Sequence, residues 1–197
     1  MYPNCINEIV ESFKSLPGIG EKTAERLTFS LISFDKDKLS SFADAIISVR
    51  DNIKKCSVCG NITDDDICNI CKDKERNNKI VFVVEKPQDI SLFEKINVFK
   101  GKYHVLGGLI SPLDGIGPED VNIDNLIKRV EADGIEEIIL SLKPSIEGET
   151  TMQYIKKILE GKNIKITKLS TGIPMGTDIE YIDSMTLEFA LEGRTDI

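Results

Sequence analysis

The chain has no tryptophan, a single histidine, His104, and no apolar run near the roughly 20 residues a helix needs to cross a bilayer. The missing run argues against a membrane protein. One histidine, with no reactive serine in a recognisable setting, leaves a hydrolase triad without support. His104 lies inside a predicted strand, and is read as a packed or hydrogen-bonded core residue. Basic charge is in deficit: 25 Lys and Arg stand against 33 Asp and Glu, giving −8 at pH 7. A broadly basic surface is thereby excluded, and any contact with nucleic acid must come from a local cluster working against an unfavourable overall field. Nucleotide-binding signatures are also absent. The turn-rich stretch Gly107-Gly108-Leu109-Ile110-Ser111-Pro112-Leu113-Asp114-Gly115-Ile116-Gly117-Pro118 matches neither GxGxxG nor a P-loop, and reads as an ordered surface loop.

Four of the five cysteines are spaced for metal. Cys56, Cys59, Cys68 and Cys71 form C-x2-C-x8-C-x2-C, two knuckles that together offer four thiolates to a tetrahedral Zn²⁺. Two disulfides are the alternative. However, the N-terminus has no stretch resembling a signal peptide, and a cytosolic chain keeps its thiols reduced, which favours zinc. With every coordination position taken by a thiolate, the ion is expected to be structural. Cys5, in an apolar-periodic stretch, reads as a small helical hydrophobe.

Before the cysteines the pattern is helical. Ile6, Ile9, Val10, Phe13 and Leu16 recur at helical spacing from Asn4 until Pro17-Gly18 stops the run. A second helix is predicted from near Gly20. A third, from about Asp37 to Lys55, is expected to bury Leu39, Phe42, Ala45, Ile46, Val49 and Ile53 in a small three-helix bundle. The join is the informative part. Gly18 and Gly20 permit a tight turn and close approach of another backbone. The start of the second helix offers free N–H groups to a phosphate, and Lys22 and Arg26 share one helical face. The stretch resembles a helix-hairpin-helix, a motif that grips DNA through its backbone and so without sequence preference. The bland alternative is a plain turn, with Lys22 and Arg26 solvated or paired to Glu21 and Glu25. One hairpin neutralises only a few phosphates, so useful affinity implies several copies on one ligand.

After the cysteines, apolar runs at 80–84, 103–106, 138–142 and 164–169 alternate with helical patterns at 90–96, 123–132, 150–159 and 181–191. That alternation predicts a mostly parallel sheet with helices on both sides and a ligand crevice beyond the carboxyl ends of the strands. Glu85 follows the first strand, and Glu147-Gly148-Glu149 follows the third. This arrangement resembles the Toprim domain, in whose catalytic members a Glu acts in acid/base chemistry and an aspartate pair holds Mg²⁺. Here Lys143 and Ser145 stand where those aspartates would be, and a lysine is the wrong charge for a hard cation. Glu149 is also read as a helix-capping acid. The tail from Thr171 to Asp183, a long turn-rich segment before a last helix, is expected to pack on a neighbouring subunit.

Taken together, the chain resembles the bacterial RecR recombination-mediator family almost end to end. The resemblance rests on Leu16-Pro17-Gly18-Ile19-Gly20, the cysteine set, Val84-Glu85-Lys86-Pro87-Gln88-Asp89, Tyr103-His104-Val105-Leu106-Gly107-Gly108, the loop 111–118, Glu147-Gly148-Glu149 and Leu191-Glu192-Gly193-Arg194. It implies an α+β chain with a helix-hairpin-helix domain at 1–55, a four-cysteine zinc finger and linker at 56–79, a Toprim-like α/β domain at 80–170, and a C-terminal loop and helix at 171–197. It also implies a non-enzymatic, cytoplasmic, nucleoid-associated tetrameric ring that clamps DNA and acts with RecO and RecF. Its task would be to load RecA onto single strands coated by single-strand-binding protein. Lys22, Arg26, Gly18 and Gly20 match the family's DNA-contacting motif, and Glu85, Glu147 and Glu149 its partner-facing acids. Many relatives carry Asn at the position of Lys143. The alternatives are a Mg²⁺-dependent Toprim nuclease or topoisomerase-like enzyme, and a zinc-ribbon adaptor that binds only proteins.

Overall fold

The computed structural model describes residues 2–170 and 172–194. The chain divides into two units, Met1–Ile53 and Lys54–Ile197.

In the first unit, α1 (Asn4–Lys14) starts behind Pro3 and buries Val10. Pro17 cannot prolong it, and Gly18 turns the chain at φ +79°, a conformation that strains any side chain. α2 (Glu21–Ile32) buries Ala24 and Thr28, and the Thr28 hydroxyl donates to the Ala24 carbonyl at 2.9 Å. α1 and α2 pack against each other as a helical hairpin, and Ile19 in the connecting turn is half-buried. Asp35 caps α3 (Lys36–Asn52) by accepting from the Lys38 N–H at 2.8 Å.

α3 corrects the sequence-based expectation. It buries nothing: Leu39, Phe42, Ala45, Ile46, Val49 and Ile53 are all exposed, Val49 by 64%. The unit is a helical hairpin followed by a helix with an open apolar stripe, rather than a closed three-helix bundle. Helical periodicity shows that a face is apolar, but not that the same chain covers it. Cys5 likewise sits on α1 but is exposed.

The second unit opens with the antiparallel pair β1 (Lys54–Lys55) and β2 (Ile62–Thr63) and the short helix α4 (Asn69–Lys72). A parallel sheet follows, built from β3 (Asn77–Val84), β4 (Gly101–Val105), β5 (Glu137–Ser141) and β6 (Lys165–Lys168) in the order β4-β3-β5-β6. α5 (Pro87–Ile96) links β3 to β4, α6 (Ile123–Asp133) precedes β5, and α7 (Ile146–Ile158) links β5 to β6. Val81 and Val83 face α6 and α7 with Ile138 and Leu140, whereas Phe82 and Val84 face α5 with Tyr103 and Val105. That alternation buries β3 on both faces, as its unbroken apolar run predicts. β3 starts three residues earlier than expected, because Asn77 pairs with Gly101 across an irregular register. α7 also starts earlier, at Ile146 rather than Thr150, which brings Glu147 and Gly148 as well as Glu149 into the helix's first turn, where Glu149 was read as a helix-start acid.

β4 is an edge strand, yet its outer side is closed. Gly101, Tyr103 and Val105 point their peptide groups away from β3. The Arg76 guanidinium donates to the Gly101 carbonyl at 3.3 Å and Arg129 to the Tyr103 carbonyl at 2.6 Å. The Val105 N–H donates to the Cys59 carbonyl at 2.7 Å, and the Asn122 amide to the Val105 carbonyl at 3.0 Å. Such coverage removes a template for edge-to-edge aggregation. After β6, a 3-10 turn (Ile179–Tyr181) leads to α8 (Ser184–Glu192), capped by Asp183 and without a buried residue. Of the expected tail segment, Thr171 and 195–197 lie outside the described residues.

Candidate functional site

The four knuckle cysteines converge. Their sulfurs all lie within 4.8 Å of one another, and Cys59 Sγ is 3.6 Å from Cys68 Sγ. Sulfurs held at about 2.3 Å from a tetrahedral centre stand about 3.8 Å apart, so the cage has the size for Zn²⁺. That separation is far too long for a disulfide, and all four are free thiols. Cys56, Cys59 and Cys68 are buried, and the Cys68 N–H donates to Cys56 Sγ at 3.3 Å, the kind of contact that orients a ligand sulfur. As bare thiols the set is in conflict. Hydrogen bonds with Cys59 and then Cys71 hold the Cys68 thiol far down, and the same contact with Cys68 pushes Cys59 far up. A dication that takes all four as thiolates resolves this. The residues fit a structural zinc ion with no open position for substrate.

The hairpin presents a different surface. Gly20 caps α2 in extended conformation without a side chain, so the first N–H groups of the helix face outward beside Glu21, Lys22 and Thr23 in a shallow depression. A Cβ built on Gly18 or Gly20 meets nothing within 4 Å. At Gly18 the backbone angle demands glycine; at Gly20 nothing in the chain does, which leaves room for an incoming backbone. Lys22 and Arg26 are exposed on one face of α2. Neither pairs with Glu21, Glu25 or any other carboxylate among the described residues.

The third locus is the crevice at the carboxyl ends of β3 and β5, the neighbouring strands where the sheet order reverses. Val84 pairs with Ser141, so Glu85 and the 142–147 segment leave the sheet side by side. Glu85 has a side chain 17% exposed, with Lys86 Nζ at 3.4 Å. Glu147 lies in the first turn of α7. A hydrogen bond from Ser145 holds its carboxyl below the usual range, the helix backbone and Lys143 add to this, and Asp114 opposes it. Glu149 engages Gln153 at 2.8 Å and Lys168 at 3.4 Å, which also keep it low, the Gln153 contact foremost. The three glutamates do not bring their oxygens close enough to share one ion: among the described residues, only the four thiols form a group of three or more Cys, His, Asp or Glu able to do so. Gly148 has its own reason. An added Cβ would stand 1.9 Å from the Lys143 carbonyl oxygen, so only glycine lets α7 start this close to the loop. Ser145 caps that start, accepting from the Gly148 N–H at 3.2 Å.

His104 is fully buried, with Nε2 2.7 Å from the Asn122 carbonyl and Nδ1 unpartnered. Burial lowers its pKa to about 4, the Asn122 contact opposing and Arg129 reinforcing the shift. It is a core residue, as expected. Two contributors escape the sequence reading. Asp114, in the loop read as plain surface, is held by Ser111 at 2.6 Å and adds charge near Glu147. Lys102 is buried against the second knuckle, and its sequence signal was a lysine at the start of an otherwise buried strand.

Fold and sites together define a chain that joins a helix-hairpin-helix unit, a four-cysteine zinc finger and a Toprim domain. Family models match accordingly: the RecR helix-hairpin-helix at 6–50, the RecR four-cysteine zinc finger domain at 53–73, a Toprim domain at 79–170 and the RecR C-terminal segment at 172–195. Proteins named "Recombination protein RecR" from Staphylococcus aureus strains JH9, JH1 and Mu3 are each 46% identical over 196 residues, spanning 100% of this chain and 99% of theirs. The chain belongs to the RecR family.

Proposed function

We propose that this chain is a non-enzymatic, cytoplasmic, nucleoid-associated DNA clamp of recombinational repair. It grips the sugar-phosphate backbone through Lys22, Arg26 and the Gly18–Gly20 turn. The carrying observation is that both cations stand exposed and unpaired beside a glycine turn with open space around it. Phosphate contacts of this kind position a protein without reading bases, so binding is sequence-independent on single and double strands. A single hairpin is weak, and multiplicity supplies affinity. The open stripe Leu39, Phe42, Ile46, Val49 and Ile53, at alternating three- and four-residue spacing, supports self-association, as do exposed Tyr181, Met185 and Leu191 in the tail. The proposed assembly is a tetrameric ring. Within it the zinc finger and linker (56–79) join the hairpin domain (1–55) to the Toprim-like domain (80–170), and the tail (171–197) packs on a neighbour. Glu85, Glu147 and Glu149 form an acidic face for RecO and RecF, through which the clamp helps load RecA onto coated single strands.

Glu85 and Glu147 at the switch point, with the charge of Asp114 near Glu147, favour one competing reading, a Mg²⁺-dependent nuclease or topoisomerase-like enzyme. Against it, Lys143 places a cation where such chemistry needs carboxylate oxygens. Incubating the purified protein with supercoiled plasmid and Mg²⁺, alongside native mass measurement with and without DNA, separates the two. The clamp leaves the plasmid intact, retards it at low salt and gives a tetramer mass. Nicking or relaxation with turnover would overturn it, and so would a monomer that never retards DNA.

A further inference from the structure

Lys102 is the second residue of the buried strand β4, 5% exposed, and none of the ion pairs among the described residues involves it. Burying an ammonium group is costly unless its charge is compensated nearby. Its three donors go to three backbone carbonyls: Ile70 at 2.8 Å, Cys71 at 3.2 Å, and Asp73. All belong to the end of α4 and its exit, the turn that begins at Cys68 and carries Cys71. Neutral carbonyls satisfy the hydrogen bonds but leave the charge unbalanced. A tetrathiolate centre holding a dication carries a net charge of about −2, and is the natural counter-charge. On the same strand, three residues on, the Val105 N–H takes the Cys59 carbonyl, so β4 holds one knuckle by its backbone and the other by this side chain. Gly60 packs as closely: an added Cβ there would stand 3.0 Å from the Val105 carbonyl oxygen.

The geometry points to Lys102 as a positioning residue for the zinc centre, one that fixes the Cys68–Cys71 knuckle and offsets the negative charge of the thiolates. Zinc retention then depends on β4, although no ligand comes from that strand. Loss of a partner that orients metal ligands typically costs 10–100-fold in metal affinity.

The test uses the full-length, zinc-loaded protein and reads zinc transfer to a chromogenic chelator. Lys102→Met and Lys102→Gln, each with native circular dichroism, are expected to release zinc at least about tenfold faster than the parent. Lys79→Met, at an exposed lysine paired to Glu136, should release it at the parental rate. In cobalt-substituted protein, both Lys102 variants should red-shift the thiolate-to-metal charge-transfer band, because removing a nearby cation raises the energy of the sulfur electrons. A purely packing role would not move that band. Parental release from either folded variant, or an unshifted band, overturns the assignment. Should Lys102→Met not fold, Lys102→Gln, which keeps two donors for the carbonyls, decides alone.

Discussion

Replacing Lys22 and Arg26 together by alanine is expected to weaken DNA binding and flatten its dependence on salt. Each phosphate neutralised contributes about 0.9 to the slope of log K against log salt on duplex DNA, and about 0.7 on single strands. Two contacts per engaged hairpin therefore remove about 1.8 or about 1.4 of slope. Across a fourfold rise in salt, the parent should lose roughly tenfold more affinity per hairpin than the double variant on duplex, and roughly sevenfold more on single strands. Folding should be untouched, because both side chains are exposed and unpaired; a change within about 0.5 kcal/mol is expected in urea unfolding. Fluorescence anisotropy of labelled oligonucleotides between about 50 and about 200 mM salt provides the measurement. A double variant that folds normally and retains the parental slope would refute the reasoning and move DNA contact elsewhere.

Two further expectations concern stability. His104 is the sole histidine, and its pKa falls from 6.5 in the unfolded chain to about 4 in the folded one. The folded state is thus fully favoured above 6.5 and loses stability as pH drops through that window, by up to about 3 kcal/mol, since unfolded chains take the proton first. Urea unfolding should show parent and His104→Gln converging as pH falls from 6.5 toward 4; parallel curves would contradict this. Gly148→Ala drives a methyl group into the Lys143 carbonyl and should cost about 1–3 kcal/mol by the same assay, with Thr150→Ala on the exposed side of the same turn as a mild control.

Where a feature depends on a few neighbours in the chain, the sequence was enough to read it. Cysteine spacing identified the zinc ligands because each knuckle is a short turn that holds its own pair. The continuous run at 80–84 marked a strand buried on both faces, and Pro17-Gly18 marked a turn, since ring closure and missing Cβ atoms restrict or free the backbone on the spot. Glu85 could be placed at a strand's carboxyl end by the same local logic. Helix starts were less legible. Ser145 capping and the close approach of Gly148 to Lys143 set the beginning of α7, and both need a loop's path in space.

Composition and spacing determined that this chain carries four zinc-binding thiols, a glycine hairpin with two cations on one helical face, and a parallel α/β sheet with acids beyond its strands. Tertiary structure alone decided what covers what. The apolar stripe of α3 stays open and the outer edge of β4 does not, because a periodic pattern specifies which side of an element avoids water but not which distant segment shields it. It also decided that Glu149 turns to Lys168 while Glu147 keeps company with Asp114, and that Lys102 reaches the zinc knuckle. These pairings join residues 19 to 33 positions apart, and only the packed fold brings them into each other's neighbourhood.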